Sequence, residues 1–133
     1  MKEKKIAILP CTGIGQVVGT IARQAAYRVC DDLCPHDTML VCLPALVKGV
    51  QEDIDMIHDC PVIVIEGCAE YCATHALSLQ HGEPSATVFI PDVVKGKGLK
   101  IKREARRRLT DSEEKAVELT ANRVVEEIDK LQS

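Results

Sequence analysis

The chain has 133 residues, an apolar fraction of 46% and a formal net charge of −3, which is sufficient for one hydrophobic core within the usual size of a domain. Aromatic residues make up only 2%, with no Trp, so the sequence lacks the aromatic surface that stacks on single-stranded nucleic acid. The slightly acidic charge balance also provides no general attraction to nucleic acid or to an anionic membrane.

The first half of the chain alternates between strand-like and helix-like hydrophobic patterns. Residues 5–10 form a short continuous apolar run, which predicts a buried strand. Residues 16–34 have apolar positions at helical spacing and predict the first helix. Residues 38–43 then predict a second strand, and residues 45–58 predict a second helix.

The second half continues the same alternation. Residues 62–65 predict a third buried strand, residues 69–80 a third helix and residues 87–90 a fourth strand. A long helix is predicted over residues 111–131, where Thr110 and Glu113 have the spacing of a capping box.

This order of elements predicts an α/β fold. We expect a three-layer Rossmann-like or flavodoxin-like domain, with a mostly parallel four-stranded sheet and helices on both faces. A single domain is expected over residues 1–133, in which a basic segment and the last helix occupy residues 96–133.

The expected compartment decides how the cysteines are interpreted. No apolar stretch reaches the roughly 18 residues of a membrane span, and the charged start of the chain lacks the apolar region of a signal peptide. We therefore expect a cytoplasmic protein. Thiols stay reduced in the cytoplasm, so the seven cysteines indicate metal or redox chemistry rather than a disulfide framework.

Four of the cysteines follow the ends of predicted strands. Cys11 follows the first strand, Cys42 lies at the end of the second, and Cys68 follows the third, with Cys72 expected one turn into the next helix on the same helical face. The carboxyl ends of parallel strands share one edge of a sheet, where ligands of α/β folds bind. Four thiolates at one edge suit tetrahedral zinc or a four-iron cluster.

The residues around these cysteines carry a family resemblance. Cys11-Thr12-Gly13 with Gly15-Gln16, Cys42-Leu43, and Glu66-Gly67-Cys68 with Cys72 resemble the DGC-domain family over roughly residues 5–95. Members of that family are described as zinc-binding proteins with a four-cysteine site. The family is named after Asp-Gly-Cys, and Glu66 stands here at the first position, so its carboxylate lies one methylene farther from the backbone.

Three hypotheses follow for the function. The first is a non-enzymatic zinc-binding protein that uses Cys11, Cys42, Cys68 and Cys72 to hold the metal or to pass it on. The alternative is an iron–sulfur protein with a four-iron cluster in electron transfer or redox sensing. The third, an enzyme with one reactive cysteine, has the least support because no His adjoins Cys11 or Cys68 in sequence.

The remaining cysteines and the basic run are interpreted without a second functional site. Cys30, Cys34 and Cys60, with His36, fall near the opposite edge of the predicted sheet, where buried packing is a better interpretation than a second metal site. The basic run within residues 95–108 is expected to be a solvated surface. The metal ion is the one partner expected, whereas a protein partner and a homo-oligomer are left open.

Overall fold

A four-stranded parallel sheet forms the centre of the computed structural model, which describes residues 5–133. The strands are β1 (Ile6–Pro10), β2 (Thr38–Leu40), β3 (Val62–Glu66) and β4 (Ala86–Phe89). They are all parallel and lie in the order β2-β1-β3-β4, which confirms the predicted flavodoxin-like α/β fold. Residues 1–4, whose charges contributed to the expectation of a cytoplasmic protein, lie outside the described residues.

Helices connect the strands and cover both faces of the sheet. The α-helices are α1 (Val17–Tyr27), α2 (Leu43–Lys48), α3 (Gln51–Asp59), α4 (Cys72–Leu79), α5 (Ile90–Val94) and α6 (Asp111–Gln132). Helix α1 packs against α6, and α2 packs against α4. Within residues 5–133, no helix is both long and apolar enough to cross a membrane.

The two central strands contain the most deeply buried part of the core. Every residue of β1 and of β3 is buried, because helices cover both faces of the sheet. The strand order reverses between β1 and β3, since the chain moves from β1 to β2 on one side and then to β3 on the other. The carboxyl ends of β1 and β3 therefore form the crevice where α/β sheets bind ligands.

Several predicted elements have different boundaries in the structure. The helix predicted over residues 45–58 is two helices, because Gly49 adopts a left-handed conformation (φ +92°) that ends α2. The strand predicted over residues 38–43 ends at Leu40. The first helix continues beyond α1 as a π-helix (Arg28–Leu33), in which the N–H of Cys34 donates to the carbonyl oxygen of Val29 at 2.7 Å.

The start of α6 is joined to the preceding basic segment by a buried carboxylate. The Glu113 carboxylate accepts hydrogen bonds from the N–H and the hydroxyl group of Thr110. It also accepts one from the N–H of Lys102, at 2.8 Å. Desolvation would raise the pKa of Glu113, but these hydrogen bonds outweigh it and keep the pKa below its ordinary value. The predicted capping box is thus confirmed, and it also holds the chain at Lys102.

We expect Glu113→Gln to lower the free energy of unfolding by about 1–2 kcal/mol at pH 7, since an amide cannot accept all of these hydrogen bonds. A carboxylate whose pKa is lowered by folding contributes stability above its unfolded pKa and loses that contribution as the pH falls. The difference between wild type and variant, measured by urea denaturation, should therefore shrink below about pH 4. Glu114→Gln, which changes the exposed neighbour, is the control. A Glu113→Gln effect that does not depend on pH would contradict the charge argument.

Candidate metal centre

The four sequence-predicted cysteines all lie at the carboxyl edge of the sheet. Cys11 directly follows β1, and Cys68 lies two residues beyond the end of β3. Cys42 immediately precedes α2, and Cys72 is the first residue of α4. All four are free thiols. Cys11 and Cys68 thus leave adjacent strands, on either side of the crevice between β1 and β3.

Cys11 is the buried member of the set, with 8% of its surface exposed. Its sulfur accepts a hydrogen bond from the N–H of Gly67 at 3.2 Å. Burial raises the pKa of the Cys11 thiol to about 11, the Gly67 N–H lowers it in part, and the negative charges of Glu66, Cys68 and Cys72 raise it further. The thiol is therefore protonated at neutral pH in the absence of a nearby cation, which argues against a role as a free nucleophile.

Cys68 and Cys72 are exposed and flank a short turn. The predicted third helix was expected to begin at residue 69, but α4 begins only at Cys72. Cys68 and Cys72 therefore do not share a helical face, and that expectation was wrong. Tyr71 ends the turn in a left-handed conformation (φ 51°), and its ring stacks on Phe89 with the ring centroids 5.5 Å apart. This aromatic contact holds the turn against the end of β4.

Glu66 forms the N-terminal cap of α4 from the end of the neighbouring strand. The buried carboxylate accepts hydrogen bonds from the N–H of Ala73 at 3.2 Å and from the N–H and hydroxyl of Thr74, each at 2.7 Å. These N–H groups have no acceptor within the first turn of the helix, and a negative charge is favourable there. Glu66 thus fixes the position of Cys72 relative to β3.

Cys42 is positioned separately from the other three thiols. Its N–H donates to Asp53 Oδ2 at 2.9 Å, so α3 fixes the start of α2. The Cys42 side chain is exposed. Cys68 and Cys72 lie near enough to Cys11 to raise the pKa of its thiol, whereas Cys42 is held by its hydrogen bond to α3. As the side chains stand, no three Cys, His, Asp or Glu residues among 5–133 are grouped closely enough to hold an ion.

Two glycines allow α1 to approach the cysteine loops closely. A Cβ atom at Gly67 would lie 2.8 Å from the Cβ of Val18, and one at Gly19 would overlap the backbone of Gly13. The absence of a side chain at Gly67 therefore lets Val18 of α1 pack against the loop that carries Cys68. These two contacts and the hydrogen bonds of Glu66 and Asp53 were missed in the sequence, because each depends on residues brought together by folding.

The other three cysteines are half-buried and pack against the core. Desolvation raises the pKa of Cys30, and it also raises that of Cys34, which lies at the end of the π-helix. The Cys60 sulfur lies 4.0 Å from that of Met39. This packing against the core matches the interpretation preferred for these residues.

Comparison with known proteins identifies one related family. The family model described as the DGC domain matches residues 7–127. The match includes all four cysteines at the sheet edge and extends beyond residue 95, through the basic segment and most of α6. No curated protein and no solved structure matches the chain.

Proposed function

The chain belongs to the DGC domain family, and from this we propose that it is a zinc-binding protein. The proposed ligands are the thiols at the carboxyl edge of the sheet, namely Cys11, Cys42, Cys68 and Cys72. The observation that carries the proposal is that Cys11 and Cys68 follow the adjacent strands β1 and β3, where the N–H of Gly67 joins the two loops by donating to the Cys11 sulfur at 3.2 Å. This is the crevice where α/β folds bind ligands.

The chemistry of the donor set fits a zinc ion. Thiolates are the usual ligands of closed zinc sites, and the Gly67 N–H already donates to the Cys11 sulfur at 3.2 Å, as it would to a metal-bound thiolate. A bound cation would also offset the cost of ionising several thiols close to the buried Glu66 carboxylate. Zinc would supply positive charge and cross-link the loops that follow β1, β2 and β3.

The exposure of the thiols favours a role in holding or passing on the metal over a purely structural one. Cys42, Cys68 and Cys72 are all exposed at an open edge, where a partner's thiols could reach a bound ion. The protein is therefore proposed to hold zinc and to pass it on, and its proposed location is the cytoplasm.

We expect close to one zinc ion per chain in protein purified without added metal, and Cys68→Ser should lower the zinc content at least tenfold, because a hydroxyl is a poor zinc ligand. Elemental analysis checks both values. Cys34→Ser changes a half-buried cysteine that precedes β2, at the amino end of that strand. It is the matched control and should keep its zinc. Full zinc content in Cys68→Ser would refute the assignment.

Two further measurements test whether Cys42 is a ligand and which metal is bound. Cys42→Ser should weaken zinc binding in competition with a chromophoric chelator, and unchanged affinity would remove Cys42 from the site. A brown, sulfide-containing protein after anaerobic purification would replace zinc with a four-iron cluster. Colourless protein that contains zinc would exclude that alternative.

A further inference from the structure

A cavity of about 500 Å³ lies beside the candidate metal centre. It is an open cleft bordered by the loop at residues 12–14, by one side of α1 and by the segment that leads from β2 into α2, and we call it the α1 cavity. Its volume falls within the range of small-molecule binding sites. Cys42 is the only one of the four cysteines that lines it, so the α1 cavity is adjacent to the proposed metal site and separate from most of it.

One wall of the α1 cavity is apolar and open to solvent. Ile14 is 93% exposed, and Tyr27 and Leu40 are each 39% exposed, yet all three line this one cavity. Large apolar side chains exposed around a concave surface mark a site that is covered by a ligand. The apolar wall therefore predicts a ligand with an apolar body.

Two arginines provide positive charge at the α1 cavity. Arg23 of α1 and Arg106 line the cavity, and no acidic side chain of the described chain does so. Arg23 forms no salt bridge among residues 5–133. Arg106 is held in place because its Nη1 donates to the Gly15 carbonyl oxygen at 3.1 Å and its own carbonyl oxygen accepts from the Thr20 hydroxyl at 3.2 Å.

We propose that the α1 cavity binds a small organic anion that has an apolar body. The guanidinium groups of Arg23 and Arg106 would bind its carboxylate, sulfonate or phosphate group, and the apolar wall would cover the rest of the molecule. Inorganic phosphate would leave the apolar wall exposed, and a neutral ligand would leave the arginines unpaired. The proposal goes beyond zinc binding and does not depend on it.

The test uses two probes with the same aromatic body. One is 1-anilinonaphthalene-8-sulfonate, an anion, and the other is the uncharged N-phenyl-1-naphthylamine. We expect saturable binding of one sulfonate per folded chain, followed by fluorescence, and at least about tenfold weaker binding to Arg23→Gln because a charge-assisted contact is lost. Binding of the uncharged probe should not change in this variant.

Matched variants show whether the sulfonate binds in the α1 cavity or elsewhere on the protein. Arg103→Gln removes an exposed charge outside the cavity and should leave sulfonate binding unchanged, whereas Ile14→Glu places a negative charge at the cavity and should weaken it. Cys68→Ser should retain sulfonate binding, so failure of the zinc proposal would not be mistaken for failure of this one. The proposal is overturned if wild type shows no saturable binding, if Arg103→Gln weakens binding as much as Arg23→Gln, or if Arg23→Gln weakens both probes equally. Urea denaturation of each variant verifies that the probes report on folded protein.

Discussion

Glu66→Ala is expected to lower the free energy of unfolding by about 2–3 kcal/mol, because it removes a buried carboxylate that accepts three hydrogen bonds at the start of α4. The N–H groups of Ala73 and Thr74 would be left without their acceptor in a partly buried position. Urea denaturation of metal-free protein measures the change. The same variant should bind zinc more weakly, since Cys72 is the first residue of the helix that Glu66 caps.

Conservative variants distinguish the charge of Glu66 from its size. Glu66→Gln keeps one oxygen acceptor but directs an NH₂ donor toward N–H groups, so about half of the loss is expected. Glu66→Asp keeps the charge and withdraws the carboxylate by one methylene, which should cost less than the loss of the charge. Glu70→Ala changes an exposed carboxylate in the same turn and is the control. Wild-type stability in Glu66→Ala would show that the cap does not matter.

Gly19→Ala is expected to destabilise the protein by about 2–3 kcal/mol, in the opposite direction to the usual effect of this change within a helix. Alanine normally stabilises a helix by about 1 kcal/mol relative to glycine. Here the new Cβ would overlap the carbonyl oxygen of Gly13 and lie 2.8 Å from its nitrogen. Because both contacts are with backbone, the loop or the helix must move.

The sign of the change makes this prediction easy to test. Gly15→Ala is the matched control, because a Cβ there meets no atom within 4 Å, and it should be close to neutral. Urea denaturation compares the two variants, and sulfonate binding tests whether the α1 cavity, which Gly13 and Gly19 both line, changes shape. A stabilising Gly19→Ala would mean that α1 and the loop separate at little cost.

Most of the fold was predictable because strands and helices leave local hydrophobic patterns. The fully buried β1 and β3 appear in the sequence as continuous apolar runs, and the apolar stripe of α6 follows a capping box at Thr110. The boundaries that were wrong have identifiable causes. Gly49 divides one predicted helix at a left-handed residue, and the helix predicted to start at residue 69 starts at Cys72 because a turn carries the chain away from β3.

The candidate site was predictable in outline and not in detail. Parallel topology brings the ends of successive strands to one edge, so the positions of Cys11, Cys42 and Cys68 along the chain were enough to place them there. Topology does not determine the distances between side chains. The structure joins the loops of Cys11 and Cys68 through the Gly67 N–H, which donates to the Cys11 sulfur, and fixes Cys42 through a different element, by a hydrogen bond to Asp53.

The sequence by itself determined the order of elements, the parallel sheet and the edge that carries the thiols, because each follows from hydrophobic periods of a few residues. Only the tertiary structure decided the cap that Glu66 provides, the contact of Gly19 with Gly13, and the α1 cavity. Arg106, which lines this cavity, donates to the carbonyl oxygen of Gly15, a residue 91 positions earlier in the chain. These features depend on close contact between separate segments. Such contacts are set by packing in three dimensions, which leaves no periodic signal in the chain.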